Sequence, residues 1–508
     1  RLPTLAPPAP GSQRLMESVT SWLPLVAVAM PLVVTAAVVV LRRWPNVRET
    51  ATVVGSLVAF VAVISMVPTV LAGQAPTTTL FEIIPGVELT LRADGLGMLF
   101  TLLASFLWIL ASIYAVGYMR GHGEADHTRF FAAFALAVGA AFGVALSADL
   151  FTFFVFYEVL TIATYPLVAH KGDDESRRSG RIYLAYLIPG GVALLLALGI
   201  LYQATGDVTF VAGGFAGDHF GTGMLLLLFV LFLLGFGTKS GIMPLHAWLP
   251  AAMVAPTPVS ALLHAVAVVK AGVFGFARAI GFVLGPGVLA DIGAGTVLAT
   301  LAAITIVVAS VVALRADKFK RRLAFSTIAH LSYIVLGLAL LSPLAWEGSL
   351  LHIVNHGLLK ITLFFVAGAV YVHLHLDRVS QLDGIGRAMP FTMGAFTIAS
   401  LGLAGLPPIG GFVSKLFLIR GGMDADELLF ALVMAGGGLL TAGYLLPIAY
   451  RAFFRPPPTY YPSERSAKLM VVPLCITATV ALLMGLGDVA GVGRIASEVG
   501  AAVMGGAR

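Results

Sequence analysis

The chain has 508 residues, 59% hydrophobic and 11% charged, far below the roughly 25% charge of a soluble domain, so its charges cannot cover a water-facing surface. A net charge of +6 would suit a nucleic-acid partner in a soluble protein; here the basic residues sort by loop and set topology, and no nucleic acid is expected. The single cysteine, Cys475, excludes a disulfide framework. No dinucleotide-binding glycine fingerprint, phosphate loop or zinc-protease helix occurs, so no cofactor or metal site is expected.

The first 18 residues are polar and proline-rich and read as an N-terminal extension. Trp22 to Leu41 is too long for the apolar part of a signal peptide, about 7–15 residues, and is read as the first span. A span needs about 20 mostly apolar residues. The chain offers about 14 such runs: near 20–41, 51–73, 95–117, 129–147, 149–170, 181–203, 222–243, 256–280, 293–314, 323–342, 350–373, 389–419, 427–452 and 468–490. Val87 to Arg92 alternates in polarity and predicts an extra-membrane β-hairpin between the second and third spans.

Basic residues mark the loops after odd-numbered spans: Arg42, Arg43 and Arg48; Arg120 and Arg129; Lys171, Arg177, Arg178 and Arg181; Arg315, Lys318, Lys320, Arg321 and Arg322; Arg378 and Arg387; Arg451, Arg455, Arg465 and Lys468. The opposite loops are nearly free of them and carry Asp207, Asp218, Asp291 and Glu347. The positive-inside rule then makes the odd loops cytoplasmic and places both termini on the far side of a cell (inner) membrane.

Five charges remain inside apolar runs: Glu158, Lys239, Lys270, Lys360 and Lys415. Each costs about 2.5–3.5 kcal/mol at mid-bilayer on insertion scales, so such residues face a bundle interior and serve function. Every deep basic residue on this reading is lysine. Arginine holds its proton in a protein, whereas a buried lysine can release one. A nearby carboxylate keeps the lysine charged, and opening the pair lets the proton leave. The bland alternative is structural ion pairs and snorkelling side chains. Two spans are interrupted: the seventh at Gly241 to Pro244, just after Lys239, and the twelfth at Pro407 and Pro408, just before Lys415. Broken helices beside ionisable residues, one in each half, point to a transport site. His246, His264, His330, His352 and His356 add groups that titrate near neutral pH, and Lys360 lies one turn beyond His356. A metal at His352, His356 and Lys360 lacks a third ligand nearby. His373 and His375 read as surface residues.

These residues resemble a known family. Phe156 to Leu160, Gly237 to Pro250, Ala255 to His264, Val268 to Gly272, Lys320 to His330 and Gly405 to Lys415 are similar to the antiporter-like subunits shared by respiratory complex I and the multisubunit Mrp cation/proton antiporters. The resemblance covers roughly residues 90–450. It implies an all-α polytopic fold of 14 helices with two inverted five-helix repeats and broken helices 7 and 12. Helices 1–3 would occupy 19–128, the repeats 129–280 and 281–453, and the last helix and tail 454–508. It also implies a hydrophilic axis: Glu158 and Lys239 as a modulating pair, Lys270 as central relay, Lys415 as gate of the second half-channel, His264 and His330 as bridges, and His356 and Lys360 as further candidates. Lys415 stands where one complex I subunit has glutamate, and little chain follows the last span; both features make the Mrp D-type subunit the most similar. The implied partners are other membrane subunits, protons with Na⁺ or K⁺, and the lipid bilayer. Membrane-bound hydrogenases and inorganic-carbon uptake complexes hold related subunits.

Overall fold

The computed structural model describes residues 16–84, 86–464 and 467–505. The polar leader up to residue 15 and Arg465 of the topology argument lie outside them. Helices α1 (Leu23–Val40), α2 (Pro45–Leu71), α3 (Gly95–His122), α4 (His127–Leu146), α5 (Leu150–Val168), α6 (Asp174–Thr205) and α7 (Thr222–Ser240) are the first seven spans. A one-turn helix α8 (Trp248–Ala251) leads into the eighth, which is split into α9 (Thr257–Ala265) and α10 (Val268–Arg278). After the short α11 (Pro286–Asp291) come α12 (Ala294–Arg315), α13 (Phe319–Ala339) and α14 (Pro343–Leu374). The twelfth span is split into α15 (Pro390–Ala404) and α16 (Gly410–Asp424), and α17 (Leu428–Phe454) and α18 (Lys468–Leu486) complete the set. Counting α9 and α10 as one interrupted run, 13 helices among the described residues are long and apolar enough to cross a membrane. The α15–α16 pair makes a fourteenth crossing. The protein is a multi-pass membrane protein.

Both interruptions expected at glycine and proline are present. α7 stops at Gly241, whose φ of 69° suits a residue without Cβ, and α15 stops at Gly405, with φ 89°. The peptide bonds before Pro244 and Pro408 are cis. A third interruption was not expected. Val266 and Ala267 leave helical geometry between α9 and α10, with no glycine or proline to announce it.

Two further elements depart from the sequence reading. The hairpin of β2 (Gln74–Ile84) and β3 (Val87–Arg92) forms as expected. Its outer edge is taken by a parallel strand, β1 (Glu17–Thr20), which begins inside the segment read as a polar extension. Beyond α18 lies an amphipathic helix, α19 (Val492–Gly505), which buries Val492, Ile495, Val499 and Val503 against α3 and α14.

α14 is the axle of the bundle. It is 32 residues long and packs on α3, α9, α13, α15, α16, α18 and α19. From Ser349 to Val370 every side chain on it is buried. Helix faces pointing away from this centre, such as Val192, Leu195 and Leu196 on α6 or Ile304, Val307 and Val308 on α12, are exposed and apolar, as a lipid-facing surface requires.

The expectation that every deep basic residue is lysine needs correction. Arg278 is fully buried at the end of α10, where its two terminal nitrogens donate to Asp94 at 2.6 and 2.8 Å. Asp94 also accepts from the Gly97 amide and so caps α3. Burial works against the Asp94 charge, but the Arg278 guanidinium, Arg92 and the Gly97 amide together outweigh it and hold the carboxyl below its usual range. This pair fixes the end of the eighth span to the start of the third.

Candidate functional site

In the first half, α5 and α7 meet at Lys239. Its side chain is buried, its ammonium donates to the Tyr157 carbonyl at 2.5 Å, and the same ammonium lies 3.2 Å from the centre of the Tyr157 ring. Carbonyl and ring face together replace the water an ammonium loses on burial. The ring is held in place because its hydroxyl donates to the Gly235 carbonyl at 2.8 Å. Glu158 is the next residue of α5. Its Oε1 is buried and without a hydrogen-bond partner among the described residues, and it lies against Gly191 of α6, where a Cβ would come within 2.3 Å of it. The structure does not join Glu158 to Lys239 in a direct ion pair; the two interact through the field of their charges.

α10 lies on the end of α7 so closely that a Cβ on Gly272 would sit 2.4 Å from the Ser240 amide nitrogen. Lys270, half a turn earlier on α10, points the opposite way, toward α14. Its ammonium donates to the Ile353 carbonyl at 2.8 Å and is 2.9 Å from His356 Nδ1. Both acceptors belong to α14. The backbone break at Val266 and Ala267 falls between His264 and Lys270.

α14 carries the site onward. His352, His356 and Lys360 follow one another at intervals of four residues and share one stripe. The His356 ring centre is 5.7 Å from that of His330 on α13. His330 Nδ1 is 3.2 Å from His352 Nε2, and His352 Nδ1 is 2.9 Å from the hydroxyl of Ser414 on α16. Ser414 precedes Lys415. The Lys415 ammonium is buried, has no hydrogen-bond partner among the described residues, and lies 4.7 Å from the centre of the Tyr333 ring. The Tyr333 hydroxyl donates to the Met434 carbonyl at 2.7 Å. A side branch runs from Lys360 to the Ser326 hydroxyl at 2.5 Å, on to the Tyr444 hydroxyl at 2.9 Å, to Thr441 at 3.1 Å and back to His330 Nε2 at 3.4 Å.

Of the residues expected from sequence, Lys270 and His356 are in direct contact, and His330 joins them through ring stacking. Lys360 and Lys415 reach the same cluster through hydroxyls and aromatic faces. His264 is buried and stacks on Phe364 at 4.7 Å, with Nδ1 unpartnered; no hydrogen bond ties it to the others. Pro244, Pro407 and Pro408 stand at the breaks. Sequence reasoning left out the tyrosines under the lysines, the hydroxyls of Ser326, Ser414, Thr441 and Tyr444, and the bridging role of His352. The spacing of four between His352 and His356 was a signal for the last. An arrangement of this kind sets protonatable groups within hydrogen-bond or ring-contact distance of one another in a buried interior.

The family described as NADH:quinone oxidoreductase/Mrp antiporter, TM, matches residues 147–441, and that described as NADH-ubiquinone oxidoreductase (complex I), chain 5 N-terminus, matches residues 85–131. NADH-quinone oxidoreductase subunit N of Desulforudis audaxviator is 33% identical over 498 residues, covering 92% of this chain and 96% of that protein. A probable K(+)/H(+) antiporter A/B protein of Rhizobium meliloti is 33% identical over 79% of this chain, which spans 40% of that longer protein. In fold, the chain superposes on a chain of the Mrp complex from Dietzia with TM-score 0.80 at 22% identity, covering 94% of this chain and 98% of that one. For a chain of the membrane-bound sulfane sulfur reductase, an archaeal respiratory complex, the TM-score is 0.85 at 22% identity, with coverage of 95% and 98%.

Proposed function

The chain belongs to the NADH:quinone oxidoreductase/Mrp antiporter family, and we propose that it is the proton-conducting subunit of a multisubunit membrane complex. The observation that carries this reading is the continuous run of buried protonatable groups from Lys270 through His356, His330 and His352 to Ser414 beside Lys415. Structural charges would be paired with carboxylates; these lysines are set against carbonyls, hydroxyls, imidazoles and ring faces instead. Intramembrane ionisable groups in such a row mark an ion path. Glu158 modulates Lys239 through its charge, Lys270 relays, and Lys415 gates the second half. The face bearing the basic loops is cytoplasmic, and the described ends lie on the other side of the cell membrane. The two inverted repeats, 129–280 and 281–453, each supply one lysine at a helix break.

The coupling is read as Mrp-type exchange of protons for Na⁺ or K⁺, which the resemblance to a probable K(+)/H(+) antiporter protein supports. A second reading, redox-driven pumping with the catalytic centres on partner subunits, is favoured by the relative that matches over nearly its whole length, an NADH-quinone oxidoreductase protein. Everted vesicles containing the assembled complex separate them. Exchange predicts proton movement on adding Na⁺ or K⁺ without an electron donor; redox pumping requires the donor. In either assay Lys239→Ala and Glu158→Ala should abolish transport while the complex still assembles. Wild-type transport by both variants would sink the proposal.

A further inference from the structure

The run of groups described so far begins inside the bundle, at Lys270, and needs a way in from the basic face. The connection between α3 and α4 offers one. Glu124 sits there with its side chain 10% exposed, and its Oε1 is buried without a hydrogen-bond partner among the described residues. A carboxylate buried in this way is costly unless it serves a purpose, and no helix cap uses it: α4 begins without a side-chain cap. Its neighbour His122, 22% exposed, places Nε2 at 3.8 Å from that oxygen. The His122 ring lies 5.0 Å from that of Tyr371 at the end of α14 and 5.8 Å from that of Tyr118, one turn back on α3. Inward of these, the Tyr118 hydroxyl is 3.5 Å from the Thr257 hydroxyl, which opens α9, the helix carrying His264.

We propose that His122 and Glu124 form a proton-collecting mouth on the basic face, feeding α9 through Tyr118 and Thr257. The imidazole takes a proton from water and passes it to the Glu124 carboxylate. The carboxyl then gives its proton to the Tyr118 hydroxyl, which releases its own to the Thr257 hydroxyl; that hydroxyl in turn releases one toward the His264 imidazole of α9 as final acceptor, and Glu124 and His122 are returned to their starting forms. The inference rests on the proton-conducting reading above. Other charges face the mouth. His375, 6.5 Å from His122 ring to ring, flanks it on α14. On α4, the His127 ring holds the Glu124 carbonyl at 2.8 Å. His170 lies within range of the Glu124 charge, as does Lys320, whose ammonium donates to the Ala255 carbonyl at 2.6 Å, beside the start of α9.

The experiment uses the assembled complex in vesicles with the basic face outward, and measures initial proton flux against external pH in dilute and in concentrated imidazole. Collection limits flux when protons are scarce. Glu124→Gln should therefore lower flux about tenfold near pH 8 and less than about twofold near pH 6. Concentrated imidazole, a mobile proton carrier, should restore it. His122→Phe, which keeps the ring contact with Tyr371, should behave alike. A loss equal at all pH values, a loss that imidazole does not relieve, or no loss overturns the proposal. Absence of proton flux in the wild-type complex overturns the conducting reading itself, and this inference with it.

Discussion

The two lysines at helix breaks each lie over a tyrosine ring, but only Lys239 also donates to that tyrosine's carbonyl, and the residue beside each tyrosine differs as well. Lys239 lies over the ring of Tyr157 and Lys415 over the ring of Tyr333. In both cases the lysine follows its tyrosine by 82 residues, and in both the tyrosine hydroxyl is anchored to a carbonyl of another helix. The tyrosines occupy the fifth and tenth spans and the lysines the seventh and twelfth, the positions that two five-helix repeats would equate. The second difference is at the next residue: Glu158 follows Tyr157, whereas Ile334 follows Tyr333. Among the described residues no carboxylate lies beside the second lysine, and its chain neighbour Ser414 bonds to His352 instead. On the proposed reading the same cradle would serve two kinds of step, one biased by a neighbouring negative charge and one governed by how the imidazoles alongside it are protonated.

The largest expected effect tests whether the lysines act as relays at all. Lys239→Met and Lys415→Met should each cut transport about 100-fold or more, and Lys→Arg at either position should fail nearly as badly, because a guanidinium holds its proton. Flux measurements in reconstituted vesicles decide this, and activity in either arginine variant would reduce the lysine to a fixed charge.

Next in size, Arg278→Ala should destabilise the protein by about 3–5 kcal/mol, because Asp94 is left as a buried, uncompensated charge. It should act on the first half, whose third and eighth spans the pair joins. Thermal unfolding in detergent reads the loss, and limited proteolysis shows whether cleavage concentrates near α3 and α10.

The helices that carry the two tyrosines also start differently. α5 is capped by Asp149, which accepts from the Thr152 amide and hydroxyl at 2.7 Å each. α13 starts at Lys318 with no side-chain cap. Burial raises the Asp149 carboxyl to about 6, from an ordinary value near 4. An acid raised in the fold favours folding when protonated. Stability therefore increases as pH falls from about 6 toward 4, and that increment is lost as pH rises through 6, with a ceiling of about 3 kcal/mol. Asp149→Asn keeps the cap acceptor and should flatten this slope in unfolding curves taken across the window; an unchanged slope would assign it to another group.

The smallest effect sharpens the likeness of the two cradles. Tyr157→Phe and Tyr333→Phe keep the ring under each lysine but remove the buried hydroxyl's bond to a helix carbonyl. Each should cost about 1–2 kcal/mol in unfolding experiments. A large loss in one half alone would mean that its tyrosine hydroxyl also handles protons.

The crossings were legible because a bilayer admits few solutions: long apolar runs, with basic loops alternating between them, leave little freedom in counting. The breaks beside Lys239 and Lys415 were legible because glycine and proline mark them. The break between Ala265 and Val268 was not, since Val266 and Ala267 carry neither the glycine nor the proline that would mark it. Arg278 escaped notice because an arginine near the end of a span reads like one that reaches the interface; only its fold neighbour, Asp94, shows that it turns inward. α19 is short and built largely from alanine, glycine and valine, so its one-sided character becomes plain only against α3 and α14. The histidines and lysines of the proposed path, and their coarse order from Lys239 through Lys270 to Lys415, were named from sequence; the order of the histidines between them was not, because contacts such as Lys270 with His356 join residues 86 apart.

The small sheet outside the bundle bears on how the chain is made. β1 precedes the first crossing, β2 and β3 follow the second, and β1 pairs with β2 from Glu17 opposite Gln74 to Thr20 opposite Thr77. These strands can meet only if α1 and α2 both cross, so that the chain leaves one face and returns to it. A chain in which one of the two fails to cross leaves β1 and the hairpin on opposite faces, and the hairpin edge stays open. The sheet is therefore a latch that closes only on a completed pair of crossings.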